Sequence, residues 1–528
     1  MASGLVDCAH GLFPQLLFAD GGLNHALRRA LRSMLMVLLL LWSTWAWAGG
    51  YYQGENGAEA LGRGGAVFAS VDDASALYFN PANLALLDGL SIVFGAQLTG
   101  ANVSFLRDGV DRRVMPDETG EIPSPDFGER YETRFTAVER ECGDALFCTP
   151  LGYTAPMFFA GYGGEGWGVA AGVFPPPALG SASFPLDGAQ RYAMTSEDIS
   201  LAWFGLGGAY QLGPVRIGAT FAMGRLDFSY SLVLDANTGV LGNPGVSRAY
   251  SGESSELYWQ VFDVPTTLTA GAWAPAGILG LTWDVLPELQ LALSLQSMTE
   301  FALEGELSMD FEGTAIPAEL AKLSDDRISS SYTHPWLLRL GARWVYERAG
   351  EALFDLELAL TYESWSQLDV MNIDVAGGFG EGDAVEPIGR IKLPRDWEDS
   401  FGVRVGSDLH LLEWWTLRVG AMMETGSVPE QTTNLDVYSF NRLGVGLGSS
   451  VYLPHGFELA VGYQHIFQAS RTVKNSQVRS NIPLSACMPP YDDASACAQP
   501  GTPPGEPVNN GVFESSFDLF SLVVGYRL

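Results

Sequence analysis

From Leu90 to Leu528, hydrophobic and polar residues alternate with a period of two, segment after segment. In "SFGVRVGSDLHL" (400–411), Phe401, Val403, Val405, Leu409 and Leu411 share one face. Ser400, Gly402, Arg404, Gly406, Asp408 and His410 share the other. "FELAVGYQHIFQ" (457–468) and "FDLELALTYE" (354–363) repeat the arrangement, as do stretches in 215–224, 289–296, 336–346, 415–424 and 442–453. Successive side chains of a strand point to opposite sides, so the pattern predicts strands with one apolar and one polar face. A soluble sandwich produces the same alternation. Two features favour a transmembrane barrel. The apolar face persists for about nine or ten residues, the length a tilted strand needs to cross a bilayer. The polar face is rich in Gly, Arg, Asp and Glu, as expected of a lumen.

The spacing predicts fourteen strands, near 89–100, 153–162, 167–175, 198–212, 214–232, 256–286, 289–311, 332–347, 351–372, 397–412, 414–427, 438–454, 456–471 and 512–528. Their links alternate short and long. Short ones include "YGGEGW" (162–167), "LGP" (212–214), "LPEL" (286–289), "ERAGE" (347–351) and "PHG" (454–456). The long ones fall near 101–152, 176–197, 233–255, 312–331, 373–396, 428–437 and 472–511. Short turns on one side and long loops on the other are the habit of outer-membrane barrels. Trp336, Trp344, Trp365, Trp397 and Trp415 lie near predicted strand ends, where an interfacial girdle would sit. The expected fold class is therefore all-β, a fourteen-stranded antiparallel transmembrane β-barrel.

Upstream the pattern changes. Arg28, Arg29 and Arg32 precede the apolar stretch Met34 to Trp42, and "WAWA" (45–48) closes it with small residues. That is the form of a secretory signal peptide cleaved after Ala48, too short to serve as a membrane helix. Residues 49–88 then precede the first strand. They contain "ALYFNPANLALLDG" (76–89), apolar yet kinked at Asn80–Pro81, since Pro fixes its own φ and pushes the preceding residue out of the helical region. A fourteen-strand lumen is too wide for its own side chains to fill. Irregular backbone is tolerated at membrane depth when buried in protein, so 49–88 is expected to be a hatch plugging a barrel of residues 89–528.

Composition agrees with this and narrows the partners. The chain has 62 Gly and only 17% charged residues, and its formal charge is −32. So acidic a surface repels phosphate backbones, and no nucleic acid is expected as partner. Much of the acid falls in predicted loops such as 107–132, where divalent cations would collect without a defined site. Cys8 lies in the leader, and the other four form the close pairs Cys142 with Cys148 and Cys487 with Cys497. In an exported chain that favours two local disulfides in external loops. A zinc site is the rival, although CxxC pairs are lacking and the histidines are scattered.

Here a specific resemblance enters. "ALGRGGAVFASVDDASALYFNPANLALLDG" (60–89) resembles the N-terminal hatch of the FadL/TodX family of outer-membrane channels, with Asn80, Pro81 and Ala82 matching its Asn-Pro-Ala. "LALTYESWSQLDV" (358–370), with Trp365 and Ser366, is similar to a strand of that family ending in Trp-Ser. "WEDSFGVRVGSDLHLLEWWTLRVGAMMETGSVPE" (397–430) is similar to the paired strands that follow, down to the loop at Pro429. The resemblance implies diffusion-driven uptake of long-chain fatty acids or related hydrocarbons through the outer membrane. External loops would capture the ligand and a pocket above the hatch would hold it. Exit would be sideways, through an opening made by an inward kink of the third strand. That strand is "WGVAAGVFPPPALG" (167–180) here, and Pro175, Pro176 and Pro177 cannot donate ladder hydrogen bonds. They are the candidate lateral exit; the plainer reading is that they only end the strand.

Other chemistry is thin. "GRGG" (62–65) follows no strand–helix unit of the dinucleotide type, so hatch flexibility explains it better. A barrel phospholipase would need Ser and His on the outer face. Of His334, His410, His455 and His465, only His465 faces lipid near the outer boundary, and the sequence offers it no Ser or acid partner. No cofactor or enzymatic activity is expected. Lumen charges Arg339, Arg343, Arg404, Asp408, Arg418, Glu424 and Arg442 are expected to pair with each other and with Asp72, Asp73 or Asp88, bracing wall and hatch. Guiding a carboxylate ligand is their alternative role. Expected partners are hydrophobic small molecules, outer-membrane lipid and lipopolysaccharide, around a monomer. The competing function is a general porin or a structural barrel, which a hatch rich in Leu, Phe and Tyr argues against.

Overall fold

The computed structural model describes residues 49–107, 131–134, 148–149, 152–176, 181–184, 190–235, 263–314, 318, 321–348, 350–380, 385–437, 439–478 and 507–528. Fourteen antiparallel wall strands close on themselves. They are β1 (Gly89–Arg107), β2 (Gly152–Gly164), β3 (Trp167–Phe174), β4 (Ser196–Leu212), β5 (Val215–Asp235) and β6 (Asp263–Leu286). Four further strands are each interrupted once. These are β7 (Leu289–Gln296 and Thr299–Met309), β8 (Arg327–His334 and Leu337–Arg348), β9 (Glu351–Glu363 and Val370–Phe379) and β10 (Glu386–Pro394 and Ser400–Leu412). Then come β11 (Trp415–Glu424), β12 (Arg442–Tyr452), β13 (Phe457–Gln468) and β14 (Gly511–Arg527). Neighbours in sequence pair throughout, and β1 closes the ring against β14 from Ser91↔Arg527 to Arg107↔Gly511. Closure leaves no sheet edge facing lipid, which is what lets strands cross a bilayer at all.

The predicted alternation holds along the wall. Phe94, Leu206, Phe221, Leu279, Leu360, Leu447 and Leu522 point outward and are exposed, as lipid-facing residues would be. Their neighbours Gln97, Thr220, Arg404, Arg418 and Gln464 point inward and are buried. All the tight turns, from 164–167 to 452–457, sit at one end of the barrel; the longer connections leave from the other, which we take as external.

The external half departs from the sequence reading. Stretches expected as loops near 312–331 and 373–396 contain strand instead, because β8, β9 and β10 continue past their interruptions. The loop expected at 428–437 folds inward, with Val428, Leu435 and Val437 buried. The interruptions lie level with one another. Gln296↔Leu337, Thr299↔His334, Leu337↔Glu363 and Glu363↔Ser400 set them side by side in a belt across four strands. Pro335 breaks β8 because it has no amide hydrogen to donate, and Pro394 ends the upper part of β10 for the same reason.

Residues 49–88 contain two short helices, α1 (Ala58–Gly62) and α2 (Ala76–Phe79), and a 3-10 helix over Pro81–Leu86. They pack against inward-facing positions of strands all around the ring, from β2 to β6 and from β11 to β14. Close to the turn end, nearly every residue of this segment is buried.

Candidate functional site

The N-terminal segment is seated by backbone approach and by charge. A track of glycines crosses the wall: Gly406 pairs with Gly420, and Gly420 with Gly446. A side-chain carbon on Gly420 would lie 2.0 Å from the Arg63 carbonyl carbon, and one on Gly446 would lie 2.0 Å from Leu61 O. No larger residue fits while α1 and the turn after it lie there. Arg63, fully buried, is the hub. It donates to Asp355 of β9 at 2.8 Å, to Asp408 of β10, and to Ala66 O at 2.8 Å. Arg404 pairs with Glu55 at 2.6 Å and Arg418 with Glu59 at 2.8 Å. Buried charges are costly unless paired, so these contacts tie segment and wall into one unit.

The expected bracing is thus present, but its hatch partners are Glu55, Glu59 and Arg63. Asp72 pairs with Arg527 at 2.7 Å, and Asp73 accepts from the amide of Ser75 at 2.8 Å. Of the aspartates expected as hatch partners, Asp72 does meet a wall arginine, Arg527, while the buried ties run through Glu55, Glu59 and Arg63.

Asn80, Pro81 and Ala82 are fully or almost fully buried. Asn80 Nδ2 donates to Phe68 O and to Thr282 Oγ1 of β6, both at 2.9 Å. Thr282 Oγ1 donates in turn to Asn83 Oδ1 at 2.7 Å, and Asn83 Nδ2 donates to Val71 O at 2.9 Å. A side chain on Gly280 would begin 2.3 Å from Asn80 Oδ1. The Asn-Pro turn is therefore a knot binding the segment to β6, with Pro81 opening the 3-10 helix where no donor is needed.

Above this layer lies an aromatic shelf. Tyr51 meets Trp397 at 5.2 Å, Trp365 at 5.8 Å and Tyr332 at 5.9 Å between ring centroids. Tyr52 bonds its hydroxyl to His334 Nε2 at 2.6 Å. Trp365 and Trp397 are 1% and 3% exposed, so the girdle expected of them is corrected. They sit in the interruptions of β9 and β10, where the backbone turns and carries the side chain inward. Trp336 does face outward. The signal available in sequence was local: "SWSQLD" and "PRDWED" place each Trp among turn-forming residues.

The external half of the interior is apolar. Met194, Leu232, Val264, Leu307, Ile373 and Phe517 belong to one buried cluster there. Arg395 and Arg471 are among the arginines that reach it. Arg395 pairs with Asp436 at 2.5 Å. Arg471 lies 4.3 Å over the Phe440 ring and donates to Thr433 Oγ1 at 3.0 Å and to Val428 O. Among the described residues it has no ion-pair partner. Burial lowers its pKa to about 10 against the opposing pull of Glu430 and Glu398, so it remains a cation at neutral pH.

At the third strand the ladder is interrupted. β3 pairs with β2 up to Val173 and with β4 up to Phe174, Pro175 and Pro176 are buried, and pairing with β4 resumes at Ser181–Ser183. Asn56 Nδ2 of the N-terminal segment donates to Pro175 O at 2.5 Å. Pro177, Cys142, Cys487 and Cys497 lie outside the described residues, and Cys148 is described by its backbone alone. One histidine reading is corrected: His465 Nδ1 lies 2.7 Å from Asp518 Oδ1, an acid directly across the β13–β14 ladder. Register supplied the partner that chain distance concealed. Among the described residues no Ser bonds to it.

A closed fourteen-strand barrel, apolar outside and filled near its turn end, defines an outer-membrane transport barrel of Gram-negative type. The family model described as outer membrane protein transport protein (OMPP1/FadL/TodX) matches residues 39–494, and the chain belongs to that family. Among curated proteins none matches the sequence. Solved structures do. A Pseudomonas aeruginosa FadL homologue aligns at 14% identity over 91% of this chain and 100% of its own, with a TM-score of 0.67. The Ralstonia pickettii toluene transporter TbuX aligns at 15% over 90% and 99%, with a TM-score of 0.57. The P. putida toluene transporter TodX aligns at 13% over 90% and 99%, also with a TM-score of 0.57. At such identities the likeness shows the fold, and the family model carries the membership.

Proposed function

We propose that this protein takes up long-chain fatty acids by passive diffusion across the outer membrane. External loops capture the ligand, the apolar external interior holds it, and it leaves sideways into the bilayer where β3 ends. Family membership gives transport of hydrophobic compounds. The observation that favours an acid over a plain hydrocarbon is Arg471, a cation that among the described residues forms no ion pair, set over Phe440 with Glu430 and Glu398 acting on it from farther off. Such a group suits a carboxylate headgroup with an alkyl tail, each buried CH₂ adding about 0.8 kcal/mol.

Residues 49–88 act as the hatch in this reading, after removal of residues 1–48 as a signal peptide. The prolines from Pro175 to Pro177 turn the wall inward, so that no unpaired backbone faces lipid. Cys142 with Cys148 and Cys487 with Cys497 close external loops as disulfides. The protein works as a monomer surrounded by lipid and lipopolysaccharide.

Uptake of a radiolabelled long-chain fatty acid by cells lacking their own channel tests the proposal, with Arg471→Gln beside the wild type. Wild-type uptake and weaker binding by Arg471→Gln are expected. A large, steady open conductance in planar bilayers would instead mark a general porin.

A further inference from the structure

Where the N-terminal segment begins, buried carboxylates outnumber the arginines paired with them. Glu55, Glu363 and Glu424 are each 3% exposed or less. Arg404 pairs with Glu55 at 2.6 Å and comes no nearer than 3.9 Å to Glu424 Oε1; Arg442 lies 3.2 Å from Glu424 Oε2. Among the described residues no cation forms an ion pair with Glu363, whose Oε2 accepts from the Trp365 indole at 2.5 Å. Glu424 Oε1 is buried without a hydrogen-bond donor. Arg339 is engaged elsewhere, donating to Tyr78 Oη at 3.1 Å.

Gly49 occupies the space between these groups. A side-chain carbon on it would lie 2.7 Å from Glu424 Oε1, 2.8 Å from Arg442 Nη2 and 3.1 Å from Glu363 Oε2. Bond lengths then put its nitrogen within about 6 Å of both carboxylates. Ser439 Oγ donates to Gly49 O, and a side chain on Gly50 would strike the Trp365 ring at 2.4 Å. Position and residue size are both fixed.

We infer that this space is an ammonium-binding site whose ligand is the chain's own N-terminus. The inference rests on cleavage after Ala48. There, water adds across the Ala48–Gly49 peptide bond, leaving a carboxylate on Ala48 and a free α-amine on Gly49 that takes up a proton. The ammonium offsets the surplus charge of Glu363 and Glu424, whereas the amide of the uncleaved chain is neutral and leaves it buried and unpaired. Processing therefore completes the charge balance of the seat that Tyr51 and Tyr52 share with the aromatic shelf.

The charged groups against Gly49 are Glu363, Glu424 and Arg442, with Arg404 and its partner Glu55 behind Glu424, and the amine's titration reports on them. The mature protein in detergent is labelled with acetic anhydride across a pH series, and the N-terminal peptide is quantified by mass spectrometry. We expect a labelling midpoint above the ordinary α-amine range of about 7.7–8.0, returning to that range in Glu363→Gln/Glu424→Gln. A Ser inserted before Gly49 leaves the wall intact and displaces the amine by about 3.5 Å; it should lower the midpoint as well. A wild-type midpoint within or below the ordinary range, or one that neither variant moves, overturns the ammonium site. A first residue other than Gly49 overturns the cleavage reading together with it.

Discussion

The wall is broken in two places, and the breaks are made differently. In the belt across β7 to β10, the lost ladder bonds are replaced. Ser364 N donates to Trp336 O at 3.1 Å, Trp336 N to Ser364 Oγ at 2.9 Å, Arg395 N to Asp369 O at 2.8 Å and Trp397 N to Leu368 O at 3.1 Å. Ser366 N donates to Asp399 Oδ1 at 3.0 Å, and Tyr51, Trp365 and Trp397 pack behind the belt. At the end of β3 the prolines supply no donors, and Asn56 of the N-terminal segment donates to Pro175 O from within. An interruption stitched by substitute donors is part of the wall. One made at prolines and met from within by the N-terminal segment, before pairing with β4 resumes at Ser181, is where we place the gate.

That contrast can be broken from either side. Trp365→Ala should have the largest effect on stability, since emptying a fully buried Trp site costs about 3–5 kcal/mol. The urea midpoint of the heat-resistant folded band should fall sharply; an unchanged midpoint would show that the aromatic shelf does not support the belt. Replacing Pro175, Pro176 and Pro177 together with Thr should do the reverse. We expect folding at least as stable, ligand still bound, and fatty acid uptake reduced to the background of cells without the channel. Undiminished uptake would remove the prolines from the exit.

Asn80→Ala with Pro81→Ala should fall between these extremes. The knot to Thr282 is lost, so uptake drops, while strand pairing keeps the barrel assembled. Disappearance of the folded band on a gel would mean that the segment also holds the wall. The mildest change is Ser364→Ala, which leaves the Trp336 amide without its side-chain acceptor and costs about 1 kcal/mol. Faster hydrogen exchange at Trp336, with uptake unchanged, is the expected reading; slower uptake would mean that the belt moves during transport.

Sequence alone determined the number of wall strands and the filled lumen, though not the external continuations of β8, β9 and β10. Period-two alternation is a local consequence of the pleat, so it is written in consecutive residues such as 400–411 and 457–468. The Asn80–Pro81 kink was legible for the same reason, because proline restricts its own dihedral and that of its neighbour. What needed the folded chain was which residues meet across it. Nothing near Arg63 in sequence points to Asp355 or Asp408, nothing near His465 points to Asp518, and Gly49 reaches Glu363 and Glu424 only because the ring brings β9 and β11 around it. Trp365 and Trp397 looked like girdle residues because exposure at a strand end depends on whether the backbone turns out or in. Pairing, register and burial are properties of the closed barrel, and they exist only once distant strands have chosen their neighbours.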